Sequence, residues 1–136
     1  MNNKLPLLIN RVKKSVVAIG FTLSQHGQIT PEDIAGSGFV ISEKRYICTC
    51  AHVVLGKQGQ LRVSIYGGGN YPHAPAEIIL LDRERDIAIL RVPPPPKEIS
   101  VEFVPLELGD SKTVKEGQEV VFIGFPFGGG TGGGFT

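Results

Sequence analysis

Residues 45–55 read RYICTCAHVVL, and both the fold and the chemistry of the chain turn on them. Tyr46 to Cys50 can alternate across a sheet, and the short Ala51-His52-Val53-Val54 turn that follows is ended by Gly56. His52 is thereby placed at the exit of a strand, held by the sheet on one side and open to solvent on the other. Reactive groups are commonly sited there. A single histidine beside an apolar run is more often a rim residue than a catalyst, so its meaning depends on what the rest of the chain brings to it.

Cys48 and Cys50 lie two apart on this strand and so share a face, and neighbours on one extended strand do not reach disulfide geometry. They read as small buried apolar groups in a reducing compartment. Cys48, Cys50 and His52 would form one face if the strand ran on, offering three zinc-ligand types. No further ligand pair has metal-site spacing, so neither a metal nor a cofactor is expected.

A chain of 136 residues fits one domain large enough to bury a core without staples. Hydrophobic content of 41% with 20% charged residues marks an ordinary globular composition. Fourteen Lys and Arg against thirteen Asp and Glu leave a net charge of +1, which gives no field for nucleic acid or an anionic membrane.

Ahead of the first strand, Leu5, Leu8, Ile9 and Val12 recur at helical spacing with Pro6 near the start, predicting an amphipathic helix within residues 1–14. Arg11, Lys13 and Lys14 fit a solvated helix end rather than a binding patch. The apolar run is too short for a signal-peptide core or a membrane span, so a cytoplasmic location is expected. From Ser15 the period becomes two, with Val17, Ile19, Phe21 and Leu23 facing one way. GSGFVIS (36–42) reads as a second strand, joined to the His52-bearing strand by the polar turn at 42–45. QLRVSIY (60–66), AEIILLDR (76–83), DIAILRV (86–92) and EVVFIGF (119–125) complete the set, the last entered through a turn at Lys115-Glu116-Gly117. Six or seven short strands without a helical crossover predict an antiparallel barrel or sandwich. Pro93 to Pro96 read as a stiff surface loop, and GGGTGGG (128–134), which lacks the lysine and following helix of a phosphate loop, reads as a linker.

Taken in order, GSGFVIS, YICTCAHVV, LLDxxxDIAIL and LGDS followed by VKEGQEVVFIGFPFG resemble the N-terminal half of a trypsin-like serine peptidase of the HtrA (DegP-like) branch. The resemblance runs over about residues 15–130. It implies an all-β, six-stranded, Greek-key barrel over 15–127, the first half of a double barrel, and a linker at 128–136 leading to a second barrel. Residue by residue, it places His52 on the family's general base and Asp86 on the acid that orients it. The chemistry fits the residue types: a serine hydroxyl is a poor nucleophile until an imidazole takes its proton, and a carboxylate on the other ring nitrogen fixes the tautomer. By alternation Asp86 starts a strand and shares a face with Ala88, Leu90 and Val92; Asp82, four residues earlier, reads as a turn residue pairing with Arg83 or Arg85, and Asp110 as a loop residue.

The family's nucleophile lies in a G-x-S-G segment after the aspartate, and no such segment occurs in these residues. Ser37 precedes the histidine, and Ser42 and Ser111 fall in turns. The resemblance therefore implies a serine endopeptidase acting on polypeptide, represented by the half that carries base and acid and inactive by itself. The second barrel, in cis or in trans, is its implied partner, and the face left uncovered is a route to self-association. Two other readings stand beside it: a non-catalytic binding or regulatory barrel, and a Cys/His metal-binding module.

Overall fold

Alternating apolar residues on short strands are stable only when one face is sealed, and this chain seals it by rolling the sheet up. The computed structural model describes residues 4–23, 33–56, 58–65, 73–99 and 101–125. Helix α1 (Lys4–Val12) runs into a 3-10 turn at Lys13–Ser15. The strands are β1 (Val16–Thr22), β2 (Ile34–Ser42), β3 (Tyr46–Thr49), β4 (Gln60–Ile65), β5 (His73–Pro75), β6 (Glu77–Asp82) and β7 (Ile87–Arg91), with a short helix α2 (Ala51–Val54) after β3. All pairings are antiparallel, in the order β5-β4-β1-β2-β3-β7-β6. The strand β4 returns beside β1 after the β1-β2-β3 meander, which is the Greek-key arrangement.

The two ends of that order are consecutive in sequence, separated only by Ala76, whose N–H donates to the Leu61 carbonyl at 3.1 Å. One bent strand, 73–82, thus pairs with β4 through its first half and with β7 through its second. This reconciles seven assigned strands with the expected six and closes the sheet into a barrel. β5 was not foreseen, because three residues containing a proline carry no strand period.

Inside the barrel, every strand except β6 contributes. Val17, Ile19, Val40, Ile47, Val63, Ala74, Ala88, Leu90 and Val92 are all at most 1% exposed. Gly38 and Gly36 lie opposite Val17 and Ile19, and a Cβ on Gly38 would come within 2.8 Å of Ile19 Cδ1. Two small residues therefore make room for two large ones. The β2–β3 turn forms as predicted: Arg45 N–H donates to the Ser42 carbonyl at 3.0 Å, and Arg45 takes a positive φ of 69°.

Three expectations are corrected. Residues 119–125 form no strand, although the turn before them is present, with Gln118 N–H on the Lys115 carbonyl at 3.1 Å and Gly117 at φ 83°. Residues 73–82 already form both ends of the sheet, and residues 119–125 pair with neither. Val120, Val121 and Phe122 consequently stand exposed, Phe122 by 86%. The cysteines share a face, but it is the outer one, since Ile47 and Thr49 take the buried positions; Cys48 is half-buried and Cys50 exposed, and both are free thiols. Burial, then the neighbouring Cys50, raises the Cys48 thiol above its ordinary value. Finally, Asp86 belongs to the turn before β7 rather than to the strand. The expected glycine-rich linker lies outside the described residues.

Candidate active site

The sequence ends β3 at Thr49 and sets three apolar residues of α2 against the core, leaving one side chain to face out. Ala51, Val53 and Val54 are buried, while the His52 side chain is 72% exposed. Val53 N–H donates to the Cys50 carbonyl at 3.1 Å and Leu55 N–H to the Ala51 carbonyl at 3.0 Å, so the turn is pinned at both ends. Thr49 Oγ1 donates to the Ser37 carbonyl at 2.7 Å, fixing the end of β3 against β2.

Asp86 approaches from the β6–β7 turn. Its backbone has φ 56°, the left-handed region that Asp and Asn tolerate better than most residues. That conformation ends the turn and aims the carboxylate at α2. Asp86 Oδ1 accepts from the His52 backbone N–H at 2.8 Å, and Oδ2 lies 2.6 Å from His52 Nδ1. One carboxylate thus holds both the main chain and the ring of the same residue. The ring hydrogen bond first, then the backbone one, draws the Asp86 carboxyl below its ordinary value, with slight burial opposing and the Ala51 backbone adding a little. An ionised carboxylate can only accept, so Nδ1 carries a ring proton, and in the neutral ring the lone pair is at Nε2. The arrangement can take a proton at Nε2, with the ionised Asp86 carboxylate stabilising the imidazolium that results.

The other acidic candidates lie elsewhere. Asp82 accepts from Arg85 twice, at 3.0 Å from the backbone N–H and 2.9 Å from Nη1, which is the turn pairing expected of it. Asp110 caps the 3-10 turn Ser111–Thr113 by accepting from Lys112 N–H at 2.9 Å. Among the serines, Ser37 Oγ accepts from the Phe125 N–H at 2.6 Å and Ser42 Oγ from the Lys44 N–H at 3.1 Å, whereas the hydrogen bond of the His52 ring is to Asp86.

Sequence reasoning missed one neighbour. Cys50, Asp86 and His52 each bring a ligand-type atom within 4.8 Å of the others. The face considered from the sequence was Cys48, Cys50 and His52; ending β3 at Thr49 and starting a helical turn removes Cys48 from it. Nothing in the spacing of Cys50 and Asp86, 36 residues apart, announces their proximity.

Residues 36–136 match the family of trypsin-like peptidase domains. The chain is 43% identical over 94 residues, 68% of its length, to a probable periplasmic DegP-like serine endoprotease of Halomonas elongata, of which this covers 18%. It is 30% identical over 128 residues, 92% of its length, to the mouse serine protease HTRA4, covering 24% of that protein. A probable periplasmic DegP-like serine endoprotease of Chlamydia pneumoniae is 34% identical over 97 residues, 71% of the chain and 18% of that protein. The chain spans about a fifth of the length of these relatives. The cytoplasmic expectation is overturned, since two of these relatives are described as periplasmic; the lack of a leader-like run within so small a share of their length carries no weight. Barrel topology and family match agree, and the chain belongs to the trypsin-like serine peptidases of the HtrA/DegP-like branch.

Proposed function

We propose that this chain supplies the proton-handling half of a serine endopeptidase, with His52 as general base and Asp86 as the acid that orients it. The observation that carries the reading is the double contact from Asp86 to the His52 ring and backbone, at 2.6 and 2.8 Å. In the proposed reaction, Nε2 takes the proton of a serine hydroxyl as its oxygen attacks a peptide carbonyl, then returns it to the leaving amine. Asp86 keeps Nδ1 protonated in the resting state and steadies the imidazolium between the two transfers. The nucleophile and oxyanion hole come from a second barrel, in cis or in trans, and the substrate is polypeptide. Periplasmic relatives support the same compartment for this chain.

Residues 1–136 contain no G-x-S-G segment, so the chain alone is expected to be inactive. In such enzymes the loss of a triad member lowers turnover by about 10⁴ to 10⁶, and here the oxyanion hole is lost as well. The exposed Val120, Val121 and Phe122, with Leu5, Leu7 and Leu8 of α1, give the missing barrel or a second copy an apolar surface to cover.

The test is hydrolysis of an unfolded protein by the chain alone and by the chain joined to a G-x-S-G-bearing second barrel. We expect cleavage only in the joined form, abolished by His52→Ala and strongly reduced by Asp86→Asn. Hydrolysis by the chain alone, or full activity of the joined His52→Ala form, refutes the proposal.

A further inference from the structure

We infer that Cys50, His52 and Asp86 form a site for a thiophilic divalent cation of the zinc class, and that the cation switches off the imidazole; the switching, though not the binding, rests on the proposed role of His52. The donors are a thiol, an imidazole nitrogen and a carboxylate oxygen, all within 4.8 Å of one another. Cys50 is exposed and Asp86 half-exposed, so a cation can reach all three.

Geometry and charge both suit such an ion. Tetrahedral coordination with a metal–sulfur bond of about 2.3 Å and metal–nitrogen and metal–oxygen bonds of about 2.0–2.2 Å separates donors by about 3.3–3.6 Å. Donors within 4.8 Å of one another therefore close by about 1.5 Å at most, and the His52–Asp86 pair opens from 2.6 Å by less than that. Cys50 lies between the end of β3 and the start of α2, where a change of side-chain rotamer disturbs no strand pairing. Thiolate and carboxylate together carry two negative charges, so a divalent ion leaves the site neutral, with solvent in the fourth position.

The proton balance explains the switching. On binding, the Cys50 thiol releases its proton to solvent. If the cation takes Nδ1, it replaces the proton shared with Asp86, and that ring proton moves to Nε2. An imidazole protonated at Nε2 and metallated at Nδ1 has no lone pair left for a serine proton. If the cation takes Nε2 instead, the same lone pair is consumed directly. Either nitrogen gives the same outcome.

Cysteine is required for this reading, and it is the residue that separates the site from a bare His–Asp pair. Asp86 meanwhile keeps a second oxygen on the His52 backbone N–H at 2.8 Å, so α2 stays anchored when Oδ2 turns to a metal.

The experiment is a titration of the 136-residue chain with Co²⁺, read by the near-ultraviolet thiolate-to-cobalt charge-transfer band, with Zn²⁺ added afterwards as competitor. We expect a band saturating at one cobalt per chain and displaced by zinc. It should persist in Cys48→Ser, vanish in Cys50→Ser, and require at least about tenfold more cobalt in Asp86→Asn. Far-UV circular dichroism of each variant establishes that it is folded. A band that follows Cys48, or no band in the folded parent chain at millimolar cobalt, overturns the site. In the joined two-barrel protein, zinc should inhibit cleavage, and Cys50→Ser should raise the zinc needed for half-inhibition at least tenfold. The two proposals fail separately: a joined protein indifferent to His52→Ala removes the general-base role but not the cobalt band, while a missing band beside His52-dependent cleavage removes only the metal site.

Discussion

Gly36 couples the packing of the barrel to the placement of His52, and replacing it with alanine should perturb both. A Cβ built there lies 2.7 and 3.0 Å from the two Val53 methyl carbons. Ordinary carbon contacts start near 3.5 Å, so Val53 has to retreat by about 0.8 Å. Val53 is β-branched, 6% exposed and next to His52, so it has no spare rotamer into which to escape. We expect overpacking of about 2 kcal/mol, within the usual range of about 1–3 kcal/mol. For a chain of this size that lowers the thermal midpoint by roughly 8 °C. If half the displacement is passed along α2, the 2.6 Å contact from His52 to Asp86 lengthens to about 3.0 Å, from a short hydrogen bond to one of ordinary length. With no tryptophan in the sequence, stability is best followed by far-UV circular dichroism in urea, and the pair by the downfield Nδ1–H proton resonance of the imidazole. The same change at Gly109, which has nothing within 4 Å, is the control and should cost no more than about 0.5 kcal/mol. A Gly36→Ala protein matching the Gly109→Ala protein in stability, with an unmoved His52 resonance, refutes the reasoning.

Other substitutions test separate parts of the structure. Leu90→Ala removes a fully buried side chain from the centre of the core and should cost about 2–5 kcal/mol in urea denaturation, with the spread set by how far the cavity collapses. Asp82 has its carboxyl drawn below the ordinary value by hydrogen bonds from the Arg85 backbone and side chain. Its contribution to stability is therefore complete above the unfolded-state value near 3.9 and disappears as the pH falls through the lower folded value, so the deficit of Asp82→Asn should shrink between about pH 5 and pH 2. Ser37→Ala removes the acceptor of the Phe125 N–H and should speed hydrogen exchange of that amide about tenfold or more while changing global stability much less.

Much of the barrel was legible because its strands obey a strict period of two with punctuating turns: β1, β4 and the Ser42–Arg45 hairpin fall where alternation and turn residues put them. EVVFIGF has the same local pattern and yet is no strand, since strand formation depends on the partners that the tertiary fold supplies rather than on seven residues alone. β5 failed in the opposite sense, acquiring strand geometry from its neighbour β4 without any period of its own. At the site, the meeting of His52 and Asp86 was anticipated through family resemblance, while the left-handed backbone that aims Asp86 was not. Strand parity says which side chains share a face and not which face is inside, so it cannot place Cys50 on the exposed side where the barrel has it.

The continuity of residues 73–82 has a consequence for how the molecule assembles. While the chain is being made, β1, β2 and β3 can zip together early, since their partners are close in sequence, but the resulting ribbon has raw margins on both sides. β4 covers the β1 margin and β7 the β3 margin, and residues 73–82 then pair with the outer sides of both, so sealing is a late event that waits for β7 to arrive as well. Until then the nascent ribbon is at its most vulnerable to joining another chain, and a delay in synthesis between β4 and β7 would prolong that interval.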